Sequence, residues 1–301
     1  MIPLLLIFIT AFFFPGIIGK TKAIFSGRKG ASVLQPYRDI LKLFRKGSVY
    51  SENSTLIFQF TIPVYIAGLI SAILVLPFGT HPGFISFEGD FVFFGYMMAL
   101  SRFMMIIGAL DTASGFEGMG ANREAFYSML IEPAFFVLLG TLAMFTGFDS
   151  FYDIFANLHY TSYFSILVAV IATYLLAQIC LVENSRLPVD DPKTHLELTM
   201  VHEVMILDHS GFDLALIHIG NALKFGIFGL LIANCVIHVE WSPGIVYPLY
   251  FLTQVLFAVA IAIVESFRAR NKMAFNPQYI INLSAISLLL IFVILIINNN
   301  L

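Results

Sequence analysis

The chain has 301 residues, 59% of them hydrophobic and only 12% charged, with a formal net charge of −3. A soluble domain carries about a quarter charged residues, so this composition excludes a soluble globular enzyme. It predicts an all-α polytopic membrane protein, because helices satisfy their own backbone across long apolar runs. A span needs roughly 20 apolar residues. Eight segments qualify, at about 2–19, 55–78, 91–112, 127–147, 163–182, 213–237, 245–264 and 280–299, and they make residues 1–301 one integral membrane domain. No positive charge precedes the first segment and basic residues follow it, so it reads as a retained span, not a cleaved signal peptide.

After the first span, residues 20–54 are strongly basic. From Leu34 onward, Leu34, Tyr37, Ile40, Leu41 and Phe44 recur at three- and four-residue spacing, with Arg38, Lys42, Arg45 and Lys46 on the other side. That pattern predicts an amphipathic helix lying on the bilayer surface or under a partner. Gln35, Pro36 and Asp39 add polar chemistry that lipid contact alone does not require.

Segment 91–112 carries Arg102 and ends at Asp111, and charges at that depth need a partner or water. Residues 113–126 read as a loop, with Gly115, Gly118 and Gly120 ahead of Arg123 and Glu124. The fourth span then carries Glu132 before Pro133. An embedded carboxyl in that position points to proton handling or charge pairing.

The fifth span delivers Glu183 into ENSRLPVDDPKTHLELTMVHEVMILDHSG, residues 183–211. Six carboxylates lie here (Glu183, Asp190, Asp191, Glu197, Glu203 and Asp208) against Arg186 and Lys193. Asp191-Pro192 predicts a helix start, and Ser210-Gly211 predicts its stop. On a continuous helix His195, His202 and His209 share a face, but successive members are about 10.5 Å apart along the axis, which excludes one shared metal. His202-Glu203 opens an HExxH-like string that fails at Ile206. Lys224 lies inside the sixth span, and Glu265, Arg268 and Arg270 cluster at the end of the seventh. Cys180 and Cys235 lie in apolar runs without CxxC spacing, so they read as core residues and hold no cluster. No metal site and no cofactor is expected in this chain.

Fourteen of the 16 Lys and Arg residues fall in segments 20–54, 113–126, 183–212 and 265–279. The intervening loops at 79–90, 148–162 and 238–244 hold none. The four basic segments therefore face the cytoplasm and both termini face outward, in a multi-pass protein of the cytoplasmic membrane. Segments 20–54 and 183–212 are the expected docking loops.

GRKGASVLQPYRDILKLFRKG and ENSRLPVDDPKTHLELTMVHEVMILDHSGFDLAL resemble the two large cytoplasmic loops of the respiratory complex I subunit 1 family, and the order of spans is similar throughout. The form is nearer to the membrane anchor subunits of formate hydrogenlyase, hydrogenase-4 and other group 4 membrane-bound hydrogenases than to the quinone-reducing branch. Val189 and Lys193 stand where the quinone-reducing branch has Phe and Glu. The resemblance implies a membrane anchor that couples electron transfer to proton or Na⁺ movement. It implies soluble partners, a hydrogenase-like large subunit and iron–sulfur subunits, holding the iron–sulfur clusters and a nickel–iron centre, and antiporter-like membrane subunits beside the chain. No nucleic-acid partner is expected. Carried over by position, Arg123, Glu132, Glu183, Arg186, Asp190, Asp191 and Glu197 are the ion-coupling candidates. Arg28, Gln35, Arg38, Asp39, His195 and His202 are the docking candidates. A quinone-binding complex I subunit 1 and a purely structural anchor are the alternatives. A stand-alone transporter is disfavoured, since no internal repeat is evident.

Overall fold

The computed structural model describes residues 2–79, 81–158, 163–191, 199–237 and 241–299. Among them are α1 (Ile2–Phe25), α2 (Gln35–Phe44), α3 (Leu56–Val75), α4 (Asp90–Asp111), α5 (Gly115–Thr146) and α6 (Phe151–Asn157). They are followed by α7 (Tyr163–Glu183), α8 (His202–Met205), α9 (Gly211–Val236), α10 (Pro243–Phe267) and α11 (Asn276–Asn299). The eight predicted spans correspond to the eight described helices long and apolar enough to cross a membrane: α1, α3, α4, α5, α7, α9, α10 and α11.

Helix α9 is the axis of the bundle. Every residue from Ala222 to Cys235 is buried, as expected of a helix packed on all sides. It contacts α1, α2, α3, α7 and α10. Helices α4, α5 and α11 pack in turn against that group through α3 and α7. Small residues set the spacing: a Cβ on Gly68 of α3 would lie 2.3 Å from Ser101 Oγ of α4, so these helices approach backbone to backbone.

Polar side chains fix the helix ends. Asp111, at the end of α4, accepts from Thr55 N (2.7 Å), Thr55 Oγ1 (2.8 Å) and Phe58 N (3.3 Å). It thereby satisfies the open donors at the start of α3. Asp90 begins α4 and accepts from Phe151 N at 2.6 Å and Ser150 Oγ at 3.2 Å, which starts α6. Both cysteines are buried and free, as core residues.

Three sequence expectations change. The stretch 113–126 is not a loop: α5 begins at Gly115 and runs for 32 residues. Gly120 serves contact, for a Cβ there would lie 2.4 Å from Val204 Cγ1 and 2.9 Å from Val201 O. Ser210-Gly211 does not stop a helix but starts α9. The three-histidine helix is not formed as drawn. His202 sits on the four-residue α8 and His209 in the turn that follows, while residues 192–198, with the predicted start after Asp191 and with His195, lie outside the described residues.

Candidate functional site

The bundle interior holds a layer of charge. Arg102 of α4 is 4% exposed. Its guanidinium pairs with Glu183 through Nη2 and lies 3.4 Å from Glu132 Oε1 through Nη1. One cation thus bridges the end of α7 and the middle of α5. Glu132 keeps 38% of its side chain exposed, whereas Glu183 is nearly enclosed.

Glu124, two helical turns before Glu132, is also buried and accepts from Ser185 Oγ at 3.3 Å. Lys224 of α9 is 3% exposed. Its Nζ lies over the Tyr65 ring, 5.5 Å from the centroid, a favourable arrangement for a desolvated ammonium. Gly220 makes room for that ring, since a Cβ there would sit 2.3 Å from it. Tyr65 OH donates to Asn221 Oδ1 at 3.1 Å, and the Asn221 amide meets His202 Nε2 at 3.0 Å.

His202 opens onto a cavity of about 380 Å³ on the basic side of the molecule. Pro15 of α1, Pro36 and Asp39 of α2, Arg186 and Asp190 of the segment after α7 and His218 and Phe225 of α9 are among the residues that also line it. Burial, with Lys224 and His218 nearby, lowers His202 to about 3. The ring is therefore neutral near pH 7 and accepts from the Asn221 amide.

Three further ion pairs hold the wall residues Arg186 and Asp190 and their neighbours. Glu265, with no exposed side-chain surface, holds Lys22 at 2.8 Å and Arg186 at 3.3 Å, and the Arg186 guanidinium covers Phe225 at 5.1 Å. Asp190 pairs with Arg270 at 2.8 Å and accepts from Val201 N and Asp191 N, each at 2.9 Å. Burial pushes the Asp190 carboxyl above its ordinary range, and the backbone donors and Arg270 pull it back. Residues 187–190 are buried, so this segment is part of the body of the protein rather than a hydrated loop.

The geometry redistributes the sequence candidates. Glu132 and Glu183 do meet, but through Arg102. Arg123 instead donates to Met200 O at 2.7 Å, and Arg186 goes to Glu265. Glu197 and His195 lie outside the described residues, and Asp191 is half-buried beside Asp190. Arg28, Arg38 and Asp39 are exposed, Gln35 is half-buried and donates to Asp39 at 2.8 Å, and His202 faces the cavity. The sequence reading gives no role to Glu124, Tyr65 or Asn221 and takes Glu265 only as part of an end cluster. Extending α5 back to Gly115 would have put Glu124 on a helix, two turns from Glu132.

Residues 1–295 match the NADH dehydrogenase family. The chain belongs to that family. Within it, the chain is 31% identical over 211 residues to "Hydrogenase-4 component C" of Escherichia coli (strain K12), covering 70% of this chain and 66% of that protein. It is 30% identical over 224 residues to "Formate hydrogenlyase subunit 4" of the same organism, covering 74% and 72%. So the match to the first relative spans just under two thirds of that protein's length. Its fold is similar to a chain in the structure of the membrane-bound sulfane sulfur reductase, an archaeal respiratory membrane complex. There the TM-score is 0.80 at 19% identity, over 96% of this chain and 98% of the other. The chain is thus an integral membrane protein of the NADH dehydrogenase family with hydrogenase relatives.

Proposed function

We propose that this protein is the membrane anchor and ion-coupling subunit of a group 4 hydrogenase-type complex. The observation that carries the reading is the Arg102 bridge between Glu132 and Glu183, next to Glu124 and Lys224. Three carboxylates face two cations in a low-dielectric layer. One proton or other cation balances the set, and each change of occupancy alters the field on its neighbours. The Tyr65–Asn221–His202 string links that layer to the cavity, and so to the cytoplasmic side expected from the Lys and Arg distribution. Soluble partners docked near Arg28, Gln35, Asp39 and Asp191 would carry the iron–sulfur clusters and the nickel–iron centre. Antiporter-like membrane subunits would take the ion onward, as proton or Na⁺.

Glu132→Gln keeps the shape of the side chain and removes its titration. The complex is expected to assemble and to reduce an artificial acceptor normally, while ion translocation, or the physiological reaction tied to it, falls at least tenfold. A variant that turns over and still pumps at the parental ion-per-electron ratio removes Glu132 from the path.

The cavity favours one second reading, a quinone-reducing subunit. Its volume lies within the roughly 300–1,000 Å³ range of small-molecule sites, and Phe225 and two prolines supply apolar wall. Turnover in quinone-free liposomes separates the two readings: a hydrogenase-type subunit retains full activity there, and a quinone reductase stops.

A further inference from the structure

We infer that α2 is a binding surface for the head groups of anionic phospholipids. Three faces follow one another around this helix. The first faces the protein, with Ile40 buried and Phe44 stacked edge-on against Phe212 at 5.3 Å. The second is apolar and uncovered: Leu34, Tyr37 and Leu41 are 44%, 39% and 42% exposed. The third carries Arg38, Lys42 and Arg45, all exposed, with Lys46 just beyond.

Depth decides what the apolar stripe meets. The Tyr37 ring packs edge-on against Phe12 of α1 at 5.4 Å. The chain just before α2 presses on α1 as well, since a Cβ on Gly16 would lie 1.8 Å from Val33 O. Phe12 and Gly16 precede Lys20, the first charge after the span, by eight and four residues. At 1.5 Å per residue they sit roughly 6–12 Å below it, close to the 5–10 Å depth of interfacial helices. The stripe therefore continues the lipid-facing surface of α1, where Ile9 and Phe13 are exposed. A soluble subunit does not reach that level.

The adjacent cations lie one step toward water, at the height of lipid phosphates. Asp39 is the one acidic residue of α2. It is engaged by Gln35 at 2.8 Å and lies 3.8 Å from Lys42. The face is net positive, which selects anionic over zwitterionic head groups. The same helix carries Pro36, Asp39 and Ile40 into the cavity wall, so lipid bound on its outer side holds that wall in place.

The test uses the full chain with a nitroxide at Leu41→Cys, since the native Cys180 and Cys235 are buried. Vesicles of phosphatidylcholine are compared with vesicles also containing phosphatidylglycerol. The readouts are accessibility of the label to oxygen against a water-soluble nickel chelate, and the enrichment of phosphatidylglycerol around the protein. The label is expected within the membrane, deeper with phosphatidylglycerol and shallower at high salt. Enrichment should fall about fivefold for each cation removed in Lys42→Gln with Arg45→Gln, a pair chosen to preserve the helix. A label in water in both vesicles overturns the inference. So does an enrichment that survives both substitutions, or a label shielded only when soluble subunits are bound, which would give the face to those subunits.

Discussion

His209 is a titratable ring held where titration is unfavourable. It stacks on Phe58 at 4.2 Å and 8°, and it is 4% exposed. Burial lowers it to about 4, against the smaller opposing pull of Asp213. The folded state therefore holds this proton less tightly than the unfolded chain does. Its contribution to stability is complete above pH 6.5 and is lost as pH falls toward 4, at about 1.4 kcal/mol per unit. His202, lowered to about 3, adds to the same window. Hydrogen-exchange protection factors across residues 199–213, corrected for the intrinsic rate, should fall between pH 7 and 5, with part of that slope absent in His209→Phe, which keeps the stack. An identical slope in the variant would show that His209 does not titrate there. At this scale the sequence was only partly informative. Arg102, Glu132, Glu183 and Lys224 stand out because charge in an apolar run is costly. Which of them meet depends on how α4, α5, α7 and α9 rotate against each other, and hydropathy carries no signal for rotation. Tyr65 and Asn221 are ordinary residues until Lys224 and His202 are seen beside them.

Among the elements, α5 shows how glycine misleads. Gly115, Gly118 and Gly120 weaken helix propensity by about 1 kcal/mol each, which is why the stretch reads as a loop. Tertiary packing wins: Glu117 accepts from Asp208 N at 2.9 Å, and α8 presses on Gly120. Neighbouring glycines should then respond oppositely. Gly118 has open space around its Cβ position, so Gly118→Ala should stabilise the protein by up to about 1 kcal/mol. Gly120→Leu collides with Val204 and Val201 O, and overpacking of this kind costs about 1–3 kcal/mol. It should also displace α8 and break the His202–Asn221 contact. Limited proteolysis between 199 and 206 checks this, and equal protease resistance in both variants would mean that α8 does not seat on Gly120. The spans themselves were legible because each is a long uninterrupted apolar run. Helix α2 was legible because its two stripes alternate at helical spacing. Ser210-Gly211 was misjudged because serine and glycine suit either end of a helix; Ser210 Oγ accepts from Val49 N at 2.9 Å, and α9 follows.

For the molecule as a whole, polarity is the property that ties sequence to use. The loops between α3 and α4, between α5 and α7 and between α9 and α10 contain no Lys or Arg. The cavity, the Asp190–Arg270 and Glu265–Lys22 pairs and the cationic face of α2 all lie at the opposite end of the spans. On the proposed orientation, with Lys and Arg retained on the cytoplasmic side, the cavity and any partner docked around it would lie in the cytoplasm. Glu88, Asp149 and Asp153 would then lie on the other side. Eight spans return the chain to the side on which it began. A phosphatase reporter, active only outside the cytoplasm, should therefore be active when fused after Leu301 and inactive when inserted near Gly47 or Asn271. Activity at Gly47, or silence after Leu301 with the fusion present in the membrane, would invert the molecule. The cavity would then face away from the soluble subunits, and the coupling reading would fail with it.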